Sequence, residues 1–417
     1  MNAPASGTAA NRTGVDSPYA AMRLAVALIL ITVGSSGMYV VPVVLPAMQA
    51  EFGVARADAT LPYTLLMIGF GLGGMLMGRL ADRFGVMVPL LIGAVGLGLG
   101  FSAAAMARDI WTFSLAHGLL LGLLGSSATF APLMADTALW FARRRGIAVA
   151  ICASGNYLGG TIWPPVVQHY VQTAGWRATY LGLALVSTLV IAALALLMRR
   201  RPPALSLAAG SDNGPVRPTP PSLPFGLPPG RALALLGVAS VACCVAMAMP
   251  QVHIVAYCTG LGFGAARGAE MLSLMMACGI VSRLVSGAIC DRIGGLRTLL
   301  LGSALQGVAL LLFLPFDGMV SLYLIAALFG LFQGGIVPSY AIIVREHFPA
   351  ARAGGQVGML IMGTMLGMAL GGWMSGKLFD LTGSYQAAFL NGILWNLLNL
   401  GIALYLLHRT RRRPPAA

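Results

Sequence analysis

Residues 78–85 read Gly-Arg-Leu-Ala-Asp-Arg-Phe-Gly, and 209 positions later residues 287–294 read Gly-Ala-Ile-Cys-Asp-Arg-Ile-Gly. Each stretch closes an apolar run with small residues, a carboxylate and an arginine. Two further pairs share the spacing. Thr173-Ala-Gly-Trp-Arg-Ala-Thr-Tyr180 answers Leu381-Thr-Gly-Ser-Tyr-Gln-Ala-Ala388 at an offset of 208, and Phe141 answers Phe348 at 207. Three matches at nearly one offset mean that the chain is a duplicated unit.

Composition names the solvent of that unit. Of the 417 residues, 58% are hydrophobic and 9% charged, with mean hydropathy +0.84. Soluble domains run at about 45–50% apolar and about 25% charged. A water-soluble chain of this length needs far more charge on its exterior, which excludes a soluble enzyme, a nucleic-acid-binding domain and a disordered chain. Windows of about 20 apolar residues, enough to cross the hydrocarbon core, recur at 23–47, 61–80, 86–106, 110–136, 146–170, 177–198, 232–258, 268–290, 297–315, 319–343, 354–379 and 386–408. The first is longer than a signal-peptide core and reads as a retained span. The expected fold is an all-α integral membrane protein with twelve transmembrane helices in two pseudo-symmetric six-helix bundles.

The charges test that count. The net charge of +14 arises from 26 basic against 12 acidic residues. With both termini inside, the inner segments hold Arg12, Arg23, Arg79, Arg83, Arg143–Arg145, Arg199–Arg201, Arg217, Arg231, Arg292, Arg297, Arg345, Arg352, Arg409 and Arg411–Arg413, which is 20 of the 26. The outer side holds Arg56, Arg108, Arg177, Arg267 and Lys377. Basic residues collect on the cytoplasmic side, and an odd number of spans would destroy the asymmetry. Residues 199–231 are rich in Pro, Gly, Ser and Arg, lack helical periodicity and read as a cytoplasmic linker. The expected organisation is a tail (1–22), an N-terminal bundle (23–198), the linker (199–231), a C-terminal bundle (232–408) and a second tail (409–417). The expected location is a bacterial cytoplasmic (inner) membrane, with both termini cytoplasmic, membrane lipids around a monomer and no nucleic acid as partner. The six cysteines all fall in apolar runs, away from disulfide or zinc spacing, and read as small buried hydrophobes.

Twelve spans, a duplication and the repeated Asp-Arg motif together resemble the major facilitator superfamily, whose loop between spans two and three carries this motif. The resemblance implies two halves that rock against each other around a central site. It also implies a conformational latch made of Gly78, Asp82, Arg83, Asp291 and Arg292. There Asp82 accepts hydrogen bonds from an arginine or helix N-terminus of the other bundle in one transport conformation. A polar loop that only sets topology is the plainer reading. Trp140-Phe-Ala-Arg-Arg-Arg-Gly-Ile-Ala-Val-Ala-Ile-Cys-Ala-Ser-Gly155 is similar to the run that opens span five in the monocarboxylate transporter family, whose broad group includes the oxalate/formate antiporter. That family's acidic-Gly-aromatic opening of span one is replaced here by Ala21-Met-Arg-Leu-Ala-Val.

Arg283 is the most informative residue, about 12 Å inside span eight at 1.5 Å per residue. A guanidinium at that depth costs at least roughly 2.5–3.5 kcal/mol and cannot shed its proton. No Asp or Glu lies deep in any span, Asp136 being near the inner end of span four. The counter-ion is therefore a substrate carboxylate or, if the side chain reaches inward, Asp291. The monocarboxylate family carries an arginine at this place, and its animal members an aspartate one turn earlier, where this chain has Gly279. His253 follows Pro250, which is expected to break the helix. It reads either as a ligand or proton carrier or as a packed histidine, and the same choice applies to His117. Tyr39, Asn156, Tyr157 and Gln333 sit at mid-depth on helices that line the cavity of the resembled fold. Each either orients a small anion or bonds a neighbouring helix.

No Walker run, nucleophile triad or metal-ligand cluster is present, so no enzyme activity, cofactor or metal is expected. The expected function is secondary active transport of a small organic anion, a monocarboxylate or related acid. Coupling is by proton symport or anion exchange, with protons as a candidate co-substrate. The alternative within the fold is a proton-coupled exporter of drugs or metabolites. Such exporters typically carry Gly-Pro-x-x-Gly-Gly in span five, where this chain reads Gly155-Asn-Tyr-Leu-Gly-Gly-Thr-Ile-Trp-Pro-Pro165.

Overall fold

The computed structural model describes residues 14–202 and 223–411; most of the expected linker, the first 13 residues and residues 412–417 lie outside the described residues. In order along the described residues run α1 (Pro18–Phe52), α2 (Arg56–Phe84), α3 (Met87–Met106), α4 (Ile110–Trp140), α5 (Arg145–Ala174), α6 (Trp176–Leu197), α7 (Pro229–Gly260), α8 (Ala265–Ile293), α9 (Gly295–Leu312), α10 (Met319–His347), α11 (Ala350–Thr382) and α12 (Tyr385–Arg411). Among the described residues, eleven helices are long and apolar enough to cross a membrane. The remaining one, α5, has the length at 30 residues, but Asn156, Gln168, His169, Pro164 and Pro165 dilute its apolar content. Large apolar side chains such as Leu185, Leu189, Val320 and Leu394 stand 60–80% exposed, as a surface in lipid requires.

The duplicated motifs end their helices in the same way. Gly85 (φ 85°, ψ 164°) follows α2 and Gly294 (φ 81°, ψ 163°) follows α8, both in a backbone region that a side chain would strain. Several rods are interrupted. Ser35 separates two segments of α1, and α4 widens to a π-helix over Ala116–Gly125 before tightening at Ser126–Thr129. The widening lies where α2 meets α4 most closely: a Cβ on Gly69 would stand 2.1 Å from the Gly118 carbonyl oxygen. Pro250, expected to break its helix, does not. α7 runs unbroken from Pro229 to Gly260, because a proline removes only one helical donor and neighbouring helices hold the segment. The stripe Gly363, Gly367, Gly371 of α11 provides that support, with Gly367 seated on the Val241 carbonyl of α7 at a would-be Cβ distance of 2.4 Å.

The helices before and after the linker meet mainly along three seams: α1 with α7, α2 with α11, and α5 with α8. Two of these seams are wedges. Along α2–α11, a Cβ on Gly376 would touch Ala57 Cα at 2.9 Å, Gly372 would meet the Tyr63 ring at 3.3 Å and Gly71 would meet Met362 Sδ at 2.8 Å. Continuing on the same faces at helical spacing, Gly78, Gly354 and Gly358 have nothing within 4 Å. Along α5–α8, Gly160 is tight on Met276 and Gly279 on Tyr157, whereas Gly146 and Gly287 are open. Both seams therefore part toward the end where the arginines collect.

One of those arginines is not a surface charge. Arg23, expected in an inner segment, is buried in α1, where Nη2 donates to Asp136 Oδ2 at 2.7 Å, with side-chain exposures of 2% and 8%. Nη1 donates to the Met198 and Arg200 carbonyls, and the Trp140 ring covers the guanidinium at 4.6 Å. α1, α4 and the end of α6 are thus fastened together.

Candidate functional site

The site is built where the α5–α8 seam begins to part. Glycines decide how near the two helices come. The missing Cβ of Gly279 would lie 2.5 Å from Tyr157 Cε1, and that of Gly160 2.6 Å from both Tyr39 Cζ and Met276 Cγ. The Tyr157 ring thereby rests against Gly279 of α8, and the Tyr39 ring of α1 against Gly160 of α5. Tyr39 donates to Asn156 Oδ1 at 2.8 Å, and Asn156 Nδ2 points to Met38 Sδ at 3.8 Å.

Arg283 lies over the Tyr157 ring, its Cζ 4.5 Å from the ring centroid. Nη1 donates to the Ala153 carbonyl at 3.2 Å, and Nε is buried with no partner. The residue is half-buried, and among the described residues no carboxylate forms an ion pair with it. Asp136 is engaged by Arg23, and Asp291 stands exposed at the end of α8 without a bond to Arg283. What remains is a fixed cation with unused donors, backed by an aromatic face and flanked by a hydroxyl–amide pair. Such a group receives a carboxylate through its planar fork.

Four of the expected residues are thus brought together: Arg283, Tyr157, Tyr39 and Asn156. His253 is not among them. It is fully buried, with Nδ1 3.1 Å from the Tyr385 hydroxyl and Nε2 2.9 Å from the Gly372 carbonyl oxygen. Gln333 is buried on α10, where its Oε1 accepts from Gln251 Nε2 at 2.7 Å. Gln251 went unnoticed in the sequence, and only its place one residue after Pro250 marked it. His117 packs on the rings of Phe113 and Tyr180, and both ring nitrogens are bonded, to the Phe113 carbonyl at 2.8 Å and the Tyr180 hydroxyl at 3.1 Å. Burial in a helix bundle explains all three: mid-span polar residues look alike whether they face a cavity or a neighbouring helix.

Asp82, Arg83, Asp291 and Arg292 are exposed at the parted end, with no side-chain ion pair among the described residues. The Arg83 guanidinium rests over the Phe84 ring at 5.1 Å. The latch contact expected of them is not made in this conformation, and Gly78 has open space beside it.

Residues 26–320 and 271–417 match the sequence profile of the Major Facilitator Superfamily. Among curated proteins, the chain is 28% identical to monocarboxylate transporter 13 of Rattus norvegicus over 81% of this chain and 77% of that protein. It is 30% identical to monocarboxylate transporter 11 of Mus musculus over 75% and 70%. Solved structures share the fold. A peptide transporter, POT, in complex with sulfate superposes with TM-score 0.73 at 15% identity, covering 93% of this chain and 94% of that one. A bacterial homolog of the human lysosomal transporter Spinster, inward-facing and occupied, gives TM-score 0.71 at 13% identity, covering 96% and 100%.

Proposed function

Because the chain belongs to the major facilitator superfamily, we propose that it carries a small organic anion, a monocarboxylate or related carboxylic acid, across its membrane by alternating access. The observation that carries this reading is the half-buried Arg283 guanidinium, held over Tyr157 with Nε unpartnered and no carboxylate of the protein beside it. Desolvated cations need a counter-charge, and a transported anion supplies one in passing. Tyr39 and Asn156 are positioned to meet the rest of such a molecule. The similarity to monocarboxylate transporters supports the same substrate class. Proton symport and anion exchange are both compatible with a site that has a permanent cation and no acid. The units that rock are the bundles 23–198 and 232–408, in a monomer whose arginine-rich end and termini face the cytoplasm of a bacterial inner membrane.

The test is a thermal-shift screen of detergent-purified protein against small carboxylates, amines and neutral drugs. A ligand at 100 times its Kd stabilises the native state by about 2.7 kcal/mol, so binding is seen without any assumption about coupling. A rise in Tm with carboxylates that disappears in Arg283→Ala is the expected result. A rise only with cations or bulky neutral compounds would overturn the anion reading.

A further inference from the structure

The end opposite the arginine-rich one is closed by a set of polar contacts that no part of the anion site uses. Asp380, in the last turn of α11, accepts from the backbone N–H of Arg56 and of Ala57 at 2.8 Å each, through its two carboxylate oxygens. These donors open α2, so one side chain ties the two halves of the molecule at the first turn of a span. The seat is close, since Gly376, one turn before Asp380, has no Cβ to separate α11 from Ala57.

The Arg56 side chain crosses the same seam. Its Nη1 donates to the Tyr385 hydroxyl at 2.6 Å, and its Cζ lies 4.6 Å from the Phe379 ring and 5.7 Å from the Tyr385 ring. The chain of bonds continues with a defined polarity. The Gly372 carbonyl can only accept, so His253 Nε2 carries the hydrogen in that 2.9 Å bond. In the neutral ring Nδ1 then accepts, and Tyr385 donates to it across 3.1 Å. The phenol oxygen is left free to accept from Arg56. Arg56, Tyr385, His253 and Gly372 thus form one directed series from α2 through α12 and α7 to α11, and Gly372 packs against Tyr63 of α2.

We propose that Asp380, Arg56, Tyr385 and His253 form the gate of this end, with Asp380 as the contact that must break for the end to open. The proposal rests on the alternating-access reading above. It also gives His253 a structural place: a brace that aims the Tyr385 hydroxyl at Arg56. Asp380 bears more of the closure than the Arg56 side chain, because its two charge-assisted bonds are to backbone and involve no rotamer of a long partner.

Spin-label distances in nanodiscs, with and without small carboxylates, test this. With native cysteines replaced, one label pair at Arg108→Cys and Asp317→Cys reports the gated end, and a second at Arg144→Cys and Arg297→Cys the arginine-rich end; all four positions are exposed. Asp380→Ala is expected to raise the long-distance population of the first pair by about tenfold, the scale of a lost charge-assisted bond, while shortening the second. Tyr385→Phe, which keeps the ring, shifts both the same way but less. Asp380→Asn, of equal volume, serves if the alanine variant is not monodisperse. Unchanged distributions in the Asp380 variants, while a saturating carboxylate does change them in the parent, overturn the gate alone. If neither the variants nor any carboxylate moves either pair, the gate and the rocking motion fall together.

Discussion

At the scale of single residues, the guanidinium of Arg283 depends on a glycine it never touches. Gly279 lets the Tyr157 ring lie against α8, and that ring is the floor under Arg283. Valine at 279 would displace the ring, and a desolvated cation–π contact is worth about 2 kcal/mol. Gly279→Val is therefore expected to weaken carboxylate binding by about one to two orders of magnitude, read by isothermal titration, with insertion intact. Tyr157→Phe should bind almost as the parent does, since the face and not the hydroxyl carries the contact. Arg283→Lys is expected to lose most carboxylate binding, because an ammonium keeps the charge without the planar fork; normal binding would remove the case for bidentate recognition. Arg283 was legible in the sequence because a permanent charge in mid-span needs a reason. The stack on Tyr157 was not, because it depends on which way α5 and α8 face each other. The places of His253 and Gln333 beside neighbouring helices were not legible for a related reason: hydropathy tells depth along a span and says nothing about azimuth.

Whole helices are joined by contacts that the charge pattern concealed. Arg23 counts among the inner cations in sequence, yet it is neutralised by Asp136 inside the bundle. Removing one partner of a buried pair leaves an uncompensated charge and costs about 3–5 kcal/mol. Asp136→Ala should accordingly lower Tm by several degrees in detergent, whereas Arg23→Leu with Asp136→Leu should recover most of the loss. Equal Tm for the parent and Asp136→Ala would mean that the pair holds nothing together. The turns at Gly85 and Gly294, in contrast, could be anticipated from sequence, since a repeated glycine after a repeated Asp-Arg pair marks a turn that a side chain would strain. The continuity of α7 through Pro250 could not, because the contacts that hold it come from α11, more than a hundred residues away.

Over the whole molecule, the seams close at one end and part at the other. Thiol labelling reads this directly. Gly358→Cys should react rapidly with a water-soluble maleimide, and Gly372→Cys, packed against Tyr63, should react slowly; the reverse order would place the opening at the wrong end. If Asp82 latches the parted end when that end closes, Asp82→Asn is expected to slow turnover in proteoliposomes with little change in substrate affinity, and an unchanged rate would remove the latch. The all-helical membrane plan was visible because lipid imposes length and hydropathy on spans, as on eleven helices here, but the direction of opening is a property of packing between halves and has no signature in either. If Arg283 meets the transported anion as proposed, the solitary cation would also govern traffic. An unloaded carrier would drag an uncompensated guanidinium through a closed intermediate, while a loaded one would pass as a neutral pair. Vesicles preloaded with unlabelled acid are then expected to take up labelled acid faster than empty vesicles, as through a revolving door rather than a drain.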